Sequence, residues 1–405
     1  MTRRPRTTAG VRARSGVGAL ALAVLASAWT VGSTALVVLG IGLAVAALAT
    51  RGWAMIATRV LRVERLPATV PHVEGGRLRL PVAVRGATWL ASRLELRDRV
   101  GPLGELRATI GRGGRAELVV EPVPRGRYLI GPGTLVARDP LGLATVELPV
   151  PPGASVLVRP RVPELGALFT ESGSRGDGGR RAHVRRPSGL EPHGVREYVE
   201  GEPLRAVHWP TSARRGQLMV RELEDAPRDS VAVVLDVEAR SIAGPAGDSS
   251  LDEAVRAAAG LVRAHAGRSR RAVLVVATPQ PGIHRVQSVG ADWEVALEAL
   301  AAVEAAEGSP LRELVAARGV LATVPELVVV TSRPEVVEDA LVGRRAIGRF
   351  CAIVAVDAQT YAGREPSASS RTLLRLAGSG VAVAVVRHGD KLEEVLAAIR
   401  VRAVG

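Results

Sequence analysis

Aromatic residues are nearly missing from this sequence: five Trp, three Tyr and two Phe among 405 residues. An aromatic-rich core is thereby excluded. The 47% apolar composition has to build its core from Val, Leu, Ala and Ile. Cysteine is reduced to Cys351, so no intrachain disulfide can form. Its place inside "FCAIVAVDA" predicts a small buried hydrophobe. A chain without disulfides is consistent with a reducing compartment. Lysine is reduced to Lys391, and every other basic side chain is Arg, the mark of coding bias rather than of a choice for guanidinium chemistry. There is no "GxSxG" and no zinc-type spacing of His with Cys, which removes the usual sequence signs of a nucleophile elbow and of a structural zinc site.

Charge is also absent from one long stretch, residues 16–50. As a single helix it would run about 50 Å, too long for a hydrocarbon core of about 30 Å. "WTVGSTA", around Gly32 and Ser33, offers a turn, so two joined spans over residues 16–58 are expected, with Trp53, Met55 and Ile56 extending the second past Arg51. The run is too long for a signal peptide. The net charge of +14 would suit a nucleic-acid partner, but three short segments carry +12 of it. These are residues 1–15, 51–65 and 159–186, which lie beside the apolar run and in a Gly-rich stretch. The rest is near neutral, so anionic lipid headgroups are the nearer counter-charge. Arg clusters on both flanks place both on the cytoplasmic side under the positive-inside tendency. The expectation is a two-span membrane protein with its soluble parts in the cytoplasm and no nucleic-acid partner.

After the apolar run the pattern changes twice. Residues 60–160 alternate apolar and polar positions in short runs such as "GRLRLPVAV" and "SRLELRDRV", punctuated by "EGG", "GRGG" and "PPG". This predicts a small antiparallel β-sandwich-like domain. Residues 161–189 are rich in Gly, Ser and Arg and read as a linker. From residue 229 to 405, "VAVVLD", "AVLVVA", "LVVVT", "CAIVAVD" and "VAVAVVR" are continuous apolar runs, as in parallel strands buried on both faces. Helical segments separate several of them. Ser250 with Glu253 predicts a capping box, and Ser309 with Pro310 a helix cap and first position. Trp293, Ala296, Leu297, Leu300 and Ala301 share one helical face, and Asp390 with Glu393 opens a last helix. The α/β reading is a doubly wound, Rossmann-like domain.

Between linker and α/β domain, residues 190–228 hold the densest mixture of Arg, Glu, Tyr, His and Trp. "GVREYVEGEPLRAVHWPTSARRGQLMVRE" resembles the signature of domain-of-unknown-function family 58 (DUF58) at Arg196, Glu197, Tyr198, Gly201, Glu202, Arg205, Trp209, Ser212, Ala213, Arg214, Arg221 and Glu222. "DPLGLATVELPV" resembles the family's "DP-aromatic-GL" element with Leu141 at the aromatic position. The resemblance implies a membrane hairpin, a β domain and a von Willebrand factor A-like domain. It also implies a protein-binding adaptor role beside a MoxR-type AAA+ ATPase, in assembly or maturation of other, including envelope, proteins. No enzymatic activity and no cofactor follow from it.

The resemblance also implies where a Mg²⁺ would sit, at the end of the domain's first strand. There Asp236, Glu238 and Ser241 give a degenerate set: only Asp236 matches, Arg240 brings a cation, and Thr331 with Ser332 stands where an Asp is expected. No metal is expected. A metal-dependent ligand-binding domain is one alternative. Another is a hydrolase using Ser212 and His208, for which no third member is found. His208 otherwise belongs to the signature's packing. The signature residues are expected to brace a joint and to dock a partner, since Tyr, Trp and Arg are enriched at interface hot spots.

Overall fold

The computed structural model describes residues 10–13, 16–66, 71–111, 113–165, 192–197, 207, 209–223, 230–268, 270–316, 321, 324–367 and 371–397. The chain forms two compact units, Met1–Arg161 and Val162–Gly405. The greater part of the expected linker, with Tyr198, Gly201, Glu202, Arg205 and His208, lies outside the described residues.

The first unit opens with β1 (Gly10–Ala13), α1 (Gly16–Val31) and α2 (Thr34–Val60). The break between the helices falls at Gly32, at φ 68°, followed by Ser33, whose hydroxyl accepts from the Leu36 amide as the cap of α2. A left-handed residue costs glycine nothing, which is why the chain can reverse there. The two helices approach closely where Gly40 meets Leu25, and Ala21, Ala28 and Ala47 are buried. Small residues at such a seam let backbones come together. With 27 residues, α2 is long and apolar enough to cross a membrane; α1 is apolar but has 16.

Ten strands follow: β2 (Arg62–Arg65), β3 (His72–Val73), β4 (Leu78–Arg85), β5 (Arg93–Gly101), β6 (Gly104–Ile110), β7 (Arg115–Val120), β8 (Gly126–Ile130), β9 (Gly133–Arg138), β10 (Ala144–Val150) and β11 (Val156–Arg159). A three-stranded sheet runs β2-β4-β7, and a larger one runs β1-β10-β9-β5-β8-β11-β3 with β6 on β5. Leu78, Leu80, Val82 and Val84 alternate inward along β4 and share one core with Leu96, Leu135 and Val146 of the larger sheet. Ala54, Ala57 and Leu61 join that core, so the last turns of α2 belong to the β unit. The helix thus runs two residues beyond the expected end of the span. A short helical turn at Thr88–Leu90, which the period-two pattern conceals, receives the Trp53 indole N–H on the Leu90 carbonyl at 2.6 Å.

The second unit holds β12 (Pro192–Glu197), α3 (Trp209–Arg215) and β13 (Met219–Leu223), then a six-stranded sheet. Its strands are β14 (Ser230–Asp236), β15 (Arg271–Ala277), β16 (Gly282–Val286), β17 (Glu326–Thr331), β18 (Phe350–Val356) and β19 (Ala382–Val386), in the order β16-β15-β14-β17-β18-β19. The five apolar runs are the five parallel strands. The edge strand β16 is antiparallel and lies outside those runs; "GIHRV" is too short and too polar to stand out. Helices cover both faces. Val231, Val233 and Leu235 pack with α4 (Ser250–Ala266), α5 (Ala291–Ala301) and the last helix, while Ala232 and Val234 pack with α6 (Leu311–Ala316), α7 (Pro334–Ala346) and a helix at Arg371–Gly378. Val162 and Leu165 pack on the first of these cores.

Two local expectations are corrected. The capping box of α4 is Ser249 with Asp252, one residue earlier than Ser250 with Glu253. Ser250 is drawn away because its hydroxyl accepts from the Ala243 amide. Asp390 accepts from the Arg387 amide in the preceding turn, ahead of the last helix at Leu392–Ala397.

Candidate functional site

The order of the parallel strands reverses about β14, with β15 on one side and β17 on the other. In open α/β sheets the crevice at the carboxyl ends of such strands is the usual ligand position. Here β14 ends in Asp236 and β17 in Thr331. The Asp236 side chain is 2% exposed. On Oδ1 it accepts from Ser309 Oγ at 2.9 Å, Arg333 Nη2 at 2.9 Å and the Glu238 amide at 3.3 Å. On Oδ2 it accepts from Thr331 Oγ1 at 2.7 Å and Arg333 Nε at 3.1 Å.

Burial alone would push the Asp236 carboxyl up. The hydrogen bonds from Arg333 and Thr331, the guanidinium charge and the Ser309 bond outweigh it and hold the group below the usual range. Arg333 behaves in the mirror sense: desolvation opposes its charge, and Asp236 with Glu238 more than restores it. Glu238 completes the wall. Its Oε2 accepts from the Gly308 and Ser309 amides at 3.1 and 3.0 Å and lies 3.8 Å from Arg333 Nη1. A bridge between Glu238 and Ala306 fastens this loop beside the end of β14.

The cation in this crevice is therefore Arg333 rather than Arg240, which is exposed in the turn Ala239–Ser241. Ser241 is also turned away, its hydroxyl donating to the Glu238 carbonyl at 2.9 Å. Ser309 donates to Asp236, and the helix begins at Leu311, one residue after the Pro310 expected to open it. A divalent cation would need carboxylate and hydroxyl oxygens that are open to it. The guanidinium already holds both oxygens of Asp236, so the residues present do not fit a metal. Arg333 is 97 residues from Asp236, and only the pairing of β14 with β17 brings them together. Its one sequence signal is its position, at a strand end before Pro334 opens α7.

The signature segment is built differently. β12 and β13 pair antiparallel, setting Arg196 opposite Val220 and Glu197 opposite Met219, with Arg221 and Glu222 further along. Between them α3 ends at Gly216, at φ 69°, whose amide donates to the Ser212 carbonyl. Ser212 is buried. Its Oγ accepts from the Met219 amide at 2.9 Å and donates to the Met219 carbonyl at 3.3 Å. That hydroxyl fastens α3 to β13. Trp209, expected to brace a joint, is instead 60% exposed, with Arg214 and Arg215 exposed on the same short helix.

Residues 194–310 match the family model described as "Protein of unknown function DUF58". The matched stretch runs through α3, Asp236, Glu238 and Ser309, stops before Thr331 and Arg333, and supports the DUF58 family. No curated protein matches the chain.

Proposed function

We propose that this chain is a membrane-anchored, cytoplasm-facing adaptor that works with a MoxR-type AAA+ ATPase and presents a von Willebrand factor A-like domain to protein partners. The observation that carries the reading is α3: Ser212 pins it to β13 while Trp209, Arg214 and Arg215 point to solvent within the family-matched segment. An exposed Trp beside Arg on a fixed helix is the composition of a binding hot spot. The sheet order, with its antiparallel edge strand taken as the third, reads 3-2-1-4-5-6 and supports a Rossmann-like arrangement. The filled crevice at Asp236 supports recognition through side chains rather than through a bound cation.

Anchoring is supported by the helix pair. Leu22, Trp29, Val38, Ile41, Val45 and Leu48 are exposed along it, more apolar surface than a water-facing pair tolerates. The strand before α1 pairs with β10, which follows α2, so two spans would return the chain to one side. Arg51 and Arg59 favour the cytoplasmic side.

The test is capture of the purified ATPase by the full-length chain in nanodiscs. Trp209→Ala and Arg215→Ala are expected to weaken capture while melting stays unchanged. Absence of capture by the wild type, with the ATPase active, would overturn the reading.

A further inference from the structure

The β unit exposes one large aromatic side chain that the adaptor reading does not use. Trp89, in the turn Thr88–Leu90, is 80% exposed. Three connections fix where it sits within its unit. First, the neighbouring Leu90 carbonyl accepts the Trp53 indole N–H. Trp53 lies 19 residues beyond the start of α2, about 28 Å along the helix, which is the depth of a hydrocarbon core. Second, Ser92 joins this turn to the β9–β10 connection: its amide donates to the Arg138 carbonyl and its hydroxyl to the Asp139 carbonyl at 2.7 Å. Third, Ala144, just past that connection, pairs with Ala13, three residues before α1 begins. Both helices therefore leave the β unit at the rim that carries Trp89 and Leu141, the latter 64% exposed.

The same rim holds an unusual pair of charges. Arg93 on β5 lies directly opposite Arg138 on β9, and both are exposed. Like charges in directly opposed positions destabilise a sheet unless a counter-charge lies nearby. Glu95, two residues along β5, lies within electrostatic reach of Arg93, but its carboxylate already accepts from Arg97 Nε at 3.0 Å and also faces Arg107. Asp139, next to Arg138 in sequence, does not supply the missing charge. It is buried, and its Oδ1 accepts from the Ala144 amide.

We propose that the rim formed by residues 88–93 and 138–141 is a lipid-contact surface: Trp89 and Leu141 enter the bilayer interface, and Arg93 with Arg138 receives an anionic headgroup. The inference rests on the anchoring read from α1 and α2 and adds to it a second contact, made by the β unit itself. Trp is the side chain that settles at the headgroup level, apolar in body with one polar N–H. Basic side chains at that level gain from anionic lipid and lose the gain with distance. Trp53 and Trp89 would form the near belt, and Trp29, at the other end of the helix pair, the far one.

The experiment uses the full-length chain in nanodiscs of phosphatidylcholine and phosphatidylglycerol with brominated acyl chains, which quench nearby tryptophan emission. Trp29→Phe, Trp89→Phe and Trp209→Phe are compared with the wild type. Removing a quenched tryptophan lowers the quenched fraction of the remaining emission, and removing an unquenched one raises it. Trp89→Phe is expected to lower the fraction, as Trp29→Phe does, and Trp209→Phe to raise it. If Trp89→Phe raises it while Trp29→Phe lowers it, the rim contact is wrong and the anchor stands. If both raise it, the anchor fails and the rim with it. For the charges, replacing phosphatidylglycerol by phosphatidylcholine is expected to reduce the Trp89 contribution in the wild type but not in the Arg93→Gln/Arg138→Gln variant. An equal reduction in both would overturn the headgroup assignment.

Discussion

Each unit of this chain holds a buried aspartate that takes two hydrogen bonds from one arginine, and the two pairs differ in everything around them. In the β unit, Asp98 is fully buried and takes two hydrogen bonds from Arg65. The other Arg65 donors end on the Pro151 and Gly131 carbonyls, and a Cβ at Gly133 would collide with the Asp98 carboxylate. Among the described residues only backbone carbonyls share the pair, so it acts as a staple across strands. In the α/β unit, Asp236 and Arg333 are joined by Ser309, Thr331 and Glu238, at the strand ends where a ligand crevice belongs. One ion pair closes a fold, and the other fills a site. The setting decides which, not the pair.

The comparison breaks most easily at Asp98. Removing one partner of a buried pair leaves the other charged and unpaired, at a cost of about 3–5 kcal/mol. Asp98→Ala is expected to lower the melting temperature of the detergent-solubilised chain more than Ser212→Ala, His265→Gln or Trp209→Ala does, and Gly133→Ala to act in the same direction. An unchanged melt for Asp98→Ala would mean that Arg65 finds water and that the staple is not structural.

The second test exploits what surrounds Asp236. In Arg333→Ala, two carboxylates and two hydroxyls remain, an oxygen set suited to a hard cation. Mg²⁺ is expected to raise the melting temperature of that variant with the logarithm of its concentration above Kd, by the equivalent of about 2.7 kcal/mol at a hundredfold excess. Asp236→Ala in the same background should abolish the rise. The wild type and Arg65→Ala should show none. A response in the wild type would mean that the guanidinium yields its place, and the crevice would then be a metal site after all.

How much of this is legible in the sequence follows one physical line. Strands buried on both faces are continuous apolar runs, so five of the six sheet strands can be read directly, as can the Trp293 face of α5. β16 escapes because an edge strand needs no such run. The Ser249 cap escapes by one residue because Ser249 and Ser250 both have an acid three positions on, and only tertiary contact with Ala243 decides between them. At the crevice Asp236 and Glu238 are legible as neighbours on one strand end. Arg333 is not, because a partner 97 residues away is chosen by strand pairing. The exposure of Trp209 is not legible either, because composition cannot tell a covered indole from an open one.

A third test separates by pH the two ends of the strands of the α/β sheet, His265 near their amino ends and Asp236 at the carboxyl end. His265 closes α4, buried, with Nδ1 3.3 Å from Arg270 Nη1. Since Arg can only donate, Nδ1 must accept, which requires a neutral ring. Burial, followed by the charges of Arg270 and Arg268, lowers its pKa to about 3. The unfolded chain binds this proton near pH 6.5, so stability present above that pH is lost as pH falls from about 6.5 toward 3, by up to about 1.4 kcal/mol per pH unit. Asp236, depressed from 3.8, contributes in the same direction but only at lower pH. His265→Gln is expected to flatten the melting profile between pH 6.5 and 4.5 while leaving the steeper loss below pH 4. Parallel profiles for wild type and variant would show that His265 does not set the upper window.

The smallest expected effect concerns α3, where a buried, hydrogen-bonded Ser212 lies three residues from an exposed Trp209, the residue proposed to dock a partner. Ser212→Ala removes the hydroxyl that serves both the Met219 amide and the Met219 carbonyl, and leaves a buried N–H unpaired at a cost of about 1–3 kcal/mol. Trp209→Ala removes a side chain that is 60% in solvent, and changes at exposed positions away from special features stay within about 0.5 kcal/mol. Melting of the two variants should therefore separate, with Ser212→Ala lower and Trp209→Ala beside the wild type. Partner capture should separate them the other way once temperature is set well below both melts: Trp209→Ala loses capture and Ser212→Ala keeps most of it. If Trp209→Ala melts as low as Ser212→Ala, the indole braces the fold despite its exposure, and the docking face would have to rest on Arg214 and Arg215 alone.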